Sequence, residues 1–355
     1  MKPRIGCIGL GWIGRSRLQA LVESGEADVT MLWDDDPAAM AAAADVAPGA
    51  RPAESLDALL DATLDGVMIA TPSAIHAEQT ARALDRRLAV FCQKPLARNR
   101  AEAEQLVTLA RRCDRLLQVD LSYRYARAFE TLRQFVAEGG VGTPHALELT
   151  FHNAYGPDKP WYYSPELSGG GCVMDLGTHL VDQVLRTLGL GGGSTPPRVI
   201  ASHLFSNGSR WERAAEQVED LAYVQLEAPM GAVVRIACSW RLPAGCDAVI
   251  GATVYGPRAG VRVRNVAGSF YDFVAERLDR GGIEHLVGPP DAWGGRAAVE
   301  WAKQLGKDAG YDPACEGLIV LSKVIDDIYE TATQGASRAL STATPSLRRV
   351  FRQGL

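Results

Sequence analysis

Apolar residues along the first third of the chain come in short runs, each closed by glycine, proline or charge. The runs Arg4–Ile8, 29–33, 65–70, 88–92 and 116–121 are too short for helices and nearly continuous in hydrophobicity, which predicts strands buried on both faces. Between them lie stretches with helical spacing. The segment 15–24 carries Leu18, Leu21 and Val22 on one stripe, 38–45 is rich in alanine, and Leu56–Leu60, the segment holding His76, and 100–112 complete the alternation. Strands alternating with helices at this rhythm predict a doubly wound parallel sheet.

From about residue 123 the pattern changes. Phe129, Leu132, Phe135 and Val136 mark an amphipathic helix, 145–151 a strand, 156–171 a Pro/aromatic loop, and 172–188 a helix. Runs that alternate between apolar and polar follow at 199–205, Leu221–Glu227, 232–240, Ala248–Tyr255 and 261–266, then a helix over 314–333; the segment after 337 carries no clear signal. Consecutive alternating strands predict a mainly antiparallel sheet with helices on one face. The expected division is therefore a domain over 1–122 and an α+β domain over 123–355.

The turn after the first strand holds Gly9, Gly11 and Gly14 at the spacing G-x-G-x-x-G, with Trp12 and Ile13 between them. Gly9 permits a tight turn, Gly11 lets main chain approach a pyrophosphate, and Gly14 lets helix and strand pack closely. The helix N-terminus then offers unpaired N–H groups to phosphate. The second strand ends in Asp34, twenty residues after Gly14, where a carboxylate accepts both hydroxyls of an adenosine ribose. Strand, glycines, helix, second strand and acid together point to a dinucleotide. Asp34, Asp35 and Asp36 stand in a row without an adjacent Arg or Lys, so a 2′-phosphate meets like charge and NAD is favoured over NADP.

Ligands of such sheets bind beyond the carboxyl ends of the strands. Those ends carry Asp34, the Thr71-Pro72-Ser73 turn leading to His76, the Gln93-Lys94-Pro95 corner, and Arg124. Thr71, Pro72, Ser73, His76, Gln93 and Lys94 are the further cofactor candidates. In the second half, Asp175 and His179 are spaced i, i+4, so a continuous helix sets them on one face, where a carboxylate orients an imidazole and stabilises its protonated form. The glycines at 169–171 allow close approach of main chain or ligand. An imidazole suits removal of a hydroxyl proton near neutral pH. No third ligand stands near this pair, so no metal is expected.

Net charge is −5 and there is no basic run, which excludes nucleic acid and an anionic membrane surface as expected partners. No apolar run approaches the ~18 residues of a membrane span. The first strand starts directly after Met-Lys-Pro, leaving no room for a signal peptide, and seven scattered cysteines without a C-x-x-C pair suit a reducing compartment. A cytoplasmic protein is expected.

GLGWIG, Asp34, TPSAIH, QKP, SYRY and GGGCVMDLGTHLVD, in this order and spacing, resemble the glucose–fructose oxidoreductase / inositol dehydrogenase / MocA family over nearly the whole chain. That resemblance implies a Rossmann domain, a C-terminal domain with a large open sheet used for homodimer or homotetramer formation, and NAD(P)-dependent oxidation of sugar or cyclitol hydroxyls. It also implies that Lys94 contacts cofactor and substrate and that Asp175 and His179 are catalytic. One position departs: the glutamate of the family's E-K-P motif is Gln93 here, which keeps hydrogen-bonding shape and loses charge.

The expected activity is hydride transfer between a carbohydrate or cyclitol and nicotinamide, with His179 as base, Asp175 as its orienter and Lys94 on the substrate hydroxyl. Substrate contacts are expected from Arg124, His152, Asn153, Lys159, Trp161 and Tyr163, with an aromatic wall facing the apolar side of a sugar. The rival readings are a redox-neutral glycosidase or lyase that oxidises its sugar transiently, and a non-catalytic NAD-binding regulator.

Overall fold

The computed structural model describes residues 2–212 and 216–342; the tail beyond 342 lies outside them. The first half runs β1 (Arg4–Ile8), α1 (Trp12–Ser24), β2 (Asp28–Trp33), α2 (Pro37–Val46), β3 (Arg51–Pro52), α3 (Leu56–Leu60), β4 (Gly66–Ile69), α4 (Ser73–Asp85), β5 (Ala89–Gln93), α5 (Arg100–Cys113) and β6 (Leu117–Asp120). Its six strands are all parallel in the order β3-β2-β1-β4-β5-β6, with β1 and β4 adjacent at the point where the winding reverses. The crevice of a doubly wound sheet opens there. The two-residue strand β3 at one edge carries too little pattern to be read from sequence.

The second half runs α6 (Arg127–Ala137), β7 (Ala146–Asn153), α7 (Pro165–Ser168), α8 (Thr178–Thr187), β8 (Arg198–Ser206), β9 (Ser209–Arg210), β10 (Leu221–Glu227), β11 (Val233–Ser239), β12 (Ala248–Tyr255), β13 (Gly260–Asn265), β14 (Phe273–Asp279), β15 (Gly282–Val287), α9 (Arg296–Lys307) and α10 (Gly317–Thr342). Nine strands form one sheet, β15-β14-β13-β12-β7-β11-β10-β8-β9, antiparallel except where β7 and β11 pair in parallel. Alternation decides the faces. Leu147, Leu149 and Phe151, with Val224, Leu226, Val234, Ile236, Ala252 and Val254, are buried beneath α6, α8 and α10. Tyr223, Val233, Val249 and Tyr255 stay exposed on the other face.

The structure departs from the expected pattern in three places. β14 and β15 extend the sheet at an edge, where β15 is mostly exposed, so no apolar alternation marks it. α9 buries Ala297, Ala298, Trp301, Ala302 and Leu305, a stripe made chiefly of alanine. It packs not on the large sheet but on the parallel one: Trp301 is fully buried with its ring 5.6 Å from Phe91 of β5. Part of the 123–355 stretch thus shares the core of the first sheet.

The third departure shapes the site. Over 172–188 a single continuous α-helix is expected; instead Val173–Gly177 forms a π-helical turn that passes into α8. The segment before it is held by Glu219. That carboxylate, fully buried, accepts the N–H of Gly171 at 3.0 Å, the N–H of Val173 at 2.9 Å and the Tyr329 hydroxyl at 2.8 Å. A Cβ on Gly171 would lie 1.8 Å from the Glu219 carbonyl oxygen, and one on Gly170 would lie 2.0 Å from Oη of Tyr329. The glycines therefore admit another main chain and a tyrosine, one of the two roles open to them from sequence.

Burial pushes the Glu219 carboxyl up to about 7, against the hydrogen bonds from Val173, Tyr329 and Gly171. A carboxyl raised in the folded state favours that state when protonated. Its contribution is fully present below about pH 4 and is lost as pH rises through about 7. Between pH 5 and pH 8 the protein should therefore lose about 2–3 kcal/mol relative to Glu219→Gln, whose profile lacks this term. Urea midpoints of both proteins across that range test it; parallel profiles would show that Glu219 does not titrate there.

Candidate functional site

The dinucleotide cradle is built by main chain. Gly9 has φ +82°, and a Cβ there would lie 2.5 Å from Thr71 N at the end of β4; a Cβ on Gly14 would lie 1.9 Å from the Gly9 carbonyl oxygen. At Gly11 a Cβ meets nothing within 4 Å, so this turn of chain is open where a pyrophosphate would lie. No side chain caps α1 and no acidic residue stands in its first turn, which leaves its N–H groups available to an anion. Trp12 is exposed beside this turn and Ile13 is half-buried. Asp34, at the tip of β2, is fixed by the N–H of Leu10 at 2.5 Å to Oδ2 and that of Asp36 at 2.9 Å to Oδ1. Asp36 itself caps α2.

The adjoining loops are tied together by His76. Its Nδ1 lies 2.7 Å from the Pro95 carbonyl oxygen and its Nε2 lies 2.7 Å from that of Thr71, so both nitrogens serve the main chain. Thr71 Oγ1 donates to Gln79, and Ser73 is buried at the start of α4, directly after Pro72.

Lys94 joins the two halves of the chain. From the end of β5 its Nζ donates to Asp175 Oδ1 at 2.5 Å and to the Asp175 carbonyl oxygen at 2.8 Å. The other carboxylate oxygen, Oδ2, accepts Trp240 Nε1 at 3.0 Å. Lys94 and Asp175 share a narrow cavity with Ser73, Pro95, Trp161, Tyr162, Ser168, Gly170 and Met174. The Pro/aromatic loop thus covers the ion pair, with Trp161 stacked on Tyr162 at 3.8 Å between ring centroids.

Asp175 does not orient His179. Its Oδ1 is taken by Lys94 and its Oδ2 by Trp240. The His179 ring instead stands edge-on to Tyr123, 4.9 Å between centroids, and 6.4 Å from Phe151. Burial, then the charges of Lys94 and Arg17, hold its imidazole well below the usual histidine range. At neutral pH it is uncharged and free to take a proton.

The expected substrate contacts divide. His152 points away: it neighbours Phe151 on β7, so the pleat sends it to the opposite face, where its Nδ1 lies 2.7 Å from Ser239 Oγ and its ring 6.5 Å from Tyr223. Arg124 is committed to buried Asp182, with Nε 2.9 Å from Oδ2. Lys159 is exposed and lies 3.6 Å from its neighbour Asp158. Tyr163 donates to the Pro157 carbonyl oxygen at 2.8 Å and lies under the Arg241 guanidinium. The Asn153 side-chain oxygen is buried and has no hydrogen-bond partner among the described residues. Of the expected set, Trp161 lies beside the ion pair.

Tyr162, Trp240, Arg17, Asp120 and Glu219 belong to the site or its support and were not expected. Only Tyr162 and Trp240 carried a signal, the first beside Trp161 and the second at the end of a predicted strand. Among the described residues no three His, Cys, Asp or Glu side chains converge on a metal site, and no helix is long and apolar enough to cross a membrane.

Comparison with known proteins agrees with this architecture. Residues 3–121 match the oxidoreductase family with an NAD-binding Rossmann fold, and residues 129–262 match the GFO/IDH/MocA C-terminal domain. The protein assigned as UDP-kanosamine synthase oxidoreductase subunit in Amycolatopsis mediterranei is 30% identical over 68% of this chain and 69% of its own. D-glucoside 3-dehydrogenase of Escherichia coli is 27% identical over 69% and 66%, and inositol 2-dehydrogenase of Leifsonia xyli 38% identical over 66% and 65%. The matched stretch thus spans about two thirds of these relatives' length. Among solved structures, a 3-ketoreductase of Actinomadura kijaniata superposes with TM-score 0.80 at 19% identity, covering 93% of this chain and 98% of its own. Levoglucosan dehydrogenase gives TM-score 0.79 at 18% identity over 94% and 98%; these two likenesses speak to the fold. The chain belongs to the GFO/IDH/MocA family of oxidoreductases.

Proposed function

We propose that this protein is an NAD-dependent dehydrogenase acting on a ring hydroxyl of a sugar or cyclitol. The observation that carries the reading is the meeting of Lys94, from the nucleotide-binding half, with Asp175, from the other half, beside an uncharged His179. When bound, NAD supplies the nicotinamide C4 that accepts the hydride. The glycine turn and the start of α1 would hold its pyrophosphate and Asp34 its adenosine ribose. Lys94 donates to the substrate hydroxyl oxygen and lowers the cost of developing negative charge. His179 removes the hydroxyl proton. Asp175 holds Lys94 in place, and Trp161, Tyr162 and Trp240 offer an apolar wall for one face of a sugar ring.

Relatives refine the substrate. D-glucoside 3-dehydrogenase and the 3-ketoreductase both carry the 3-position in their names. We take the 3-hydroxyl of a glucoside as the first substrate to try. The solved relatives hold NADP in one case and NADH in another. The choice of NAD rests on Asp34 and the two aspartates that follow it.

The exposed face of the large sheet presents Tyr223, Val233, Val249 and Tyr255, with Glu148 and Arg235 side by side across adjacent strands. Apolar residues flanked by both signs of charge suit a second copy of the same face. We assign it as the homodimer or homotetramer surface. Light scattering after size exclusion should give a dimer or tetramer, and Tyr223→Asp should shift it towards monomer; a monomeric wild type would end this assignment.

Absorbance at 340 nm should rise when the protein meets NAD and a glucoside or inositol, and His179→Ala should slow turnover by about two to four orders of magnitude with NAD affinity nearly intact. Wild-type turnover in that variant would remove His179 from the reaction. Silence across a panel of sugars, cyclitols and glycosides, with NAD bound, would favour redox-neutral cleavage instead. Asp34→Ala should weaken NAD far more than NADP in fluorescence titrations, and equal losses would undo the ribose assignment.

A further inference from the structure

Beneath the Lys94–Asp175 pair lies a second polar group that this mechanism does not use. Asp120, at the end of β6, is fully buried. Its Oδ2 accepts Arg17 Nε at 2.6 Å and Gln93 Nε2 at 3.0 Å, while Oδ1 is buried with no hydrogen-bond partner among the described residues. Gln93 and Asp120 are register neighbours on β5 and β6. Gln93 Oε1 in turn accepts the main-chain N–H of Lys94 at 2.9 Å, so the chain Arg17, Asp120, Gln93 ends on the residue that carries the ammonium. Arg17, on α1, is itself buried.

The charges around His179 explain why this matters. The charges of Lys94, after β5, and of Arg17, on α1, both act on it, and the rings of Tyr123 and Phe151 close it from the turn after β6 and from β7. On its own helix, Asp175 is spent on Lys94 and Trp240, and Asp182 on Arg124. The fields of two cations thus reach an imidazole that must accept a third positive charge. Lys94 is answered by Asp175. The carboxylate paired with Arg17 is Asp120.

We propose that Asp120 is a positioning residue that neutralises Arg17 so that His179 can accept a proton, and that residue 93 is an amide because this carboxylate already occupies the neighbouring strand end. An acid at 93 beside Asp120 would set two buried carboxylates against one guanidinium. An amide instead donates to Asp120 and accepts from Lys94, satisfying both neighbours. The absence of glutamate from the Q-K-P corner is then a transfer of charge from β5 to β6 rather than a loss.

The inference rests on His179 as the proton acceptor, and its test needs neither substrate nor cofactor. The imidazole of His179 is titrated by NMR in the full chain, its signal identified by its loss in His179→Gln. Asp120→Asn leaves Arg17 unanswered and should lower the midpoint by about one pH unit or more. Asp120→Asn/Gln93→Glu returns a carboxylate to the pair and should bring the midpoint back most of the way. If acid unfolding comes first, the protonated fraction at the lowest folded pH is compared, which should fall in the single variant and recover in the double. A purely structural Asp120 would lower the melting temperature and leave the midpoint in place.

Equal midpoints in wild type and Asp120→Asn, or a double variant no better than the single, would overturn the proposal. Should the single variant not fold, a folded double variant with the wild-type midpoint supports it, and a double variant that does not fold or that titrates lower defeats it. Unchanged midpoints with turnover that depends on His179 fail this inference alone. Shifted midpoints with turnover that ignores His179 fail the assignment of the base and leave the charge placement standing.

Discussion

The site depends on one ion pair between residues 81 positions apart in sequence. Lys94 ends a strand of the parallel sheet, and Asp175 lies in a π turn of the other half. Neither can be placed without the other: a half-buried ammonium needs a carboxylate, and the carboxylate so used can no longer serve the imidazole one turn on. The pair therefore fixes where the two halves meet and which side chain is left to move a proton.

A π turn is a costly local choice, and its neighbours show what sustains it. Glu219 grips the N–H groups of Gly171 and Val173, Tyr329 of α10 grips Glu219, and Trp240 holds Asp175 from the end of β11. Supports thus come from elements distant in sequence on the same sheet face. Such a turn persists when its surroundings over-determine it, as strained segments at functional sites generally do. Gly170 and Gly171 follow from that packing rather than from ligand approach.

What was legible in sequence was what main chain and spacing decide locally. The glycine turn, Asp34 and the alternation of strands with helices follow from near-neighbour rules. Lys94 stood out because a strand end and a proline framed it. The errors share a different cause. Asp175 and His179 are paired by spacing alone, and spacing does not show that Lys94 and Trp240 claim both carboxylate oxygens. The expectation for His152 overlooks the alternation of β7, in which Leu147, Leu149 and Phe151 face the core and Glu148, Thr150 and His152 the other side. α9 hid because an alanine stripe reads weakly until Trp301 is seen filling the core. Asp120 and Glu219 carry no local mark of their roles, since burial of a charge is a property of the finished fold.

The same buried acids bear on how an imidazole can serve as a base among cations. In water, Lys94 and Arg17 would be screened and of little consequence; beneath aromatic rings and a covering loop their fields persist. A base placed there is uncharged at neutral pH, which readies it for a proton, yet it is weakened by the charges that face it. Each of the two cations that act on His179 stands against its own carboxylate, Lys94 against Asp175 and Arg17 against Asp120. Pairing of this kind lets the site keep a donor for the substrate oxygen without a surplus of positive charge on the base. The substitution of glutamine for glutamate at 93 therefore has to be weighed with its neighbour on β6, because the quantity held by the site is the summed charge around His179 and not the identity of one motif position.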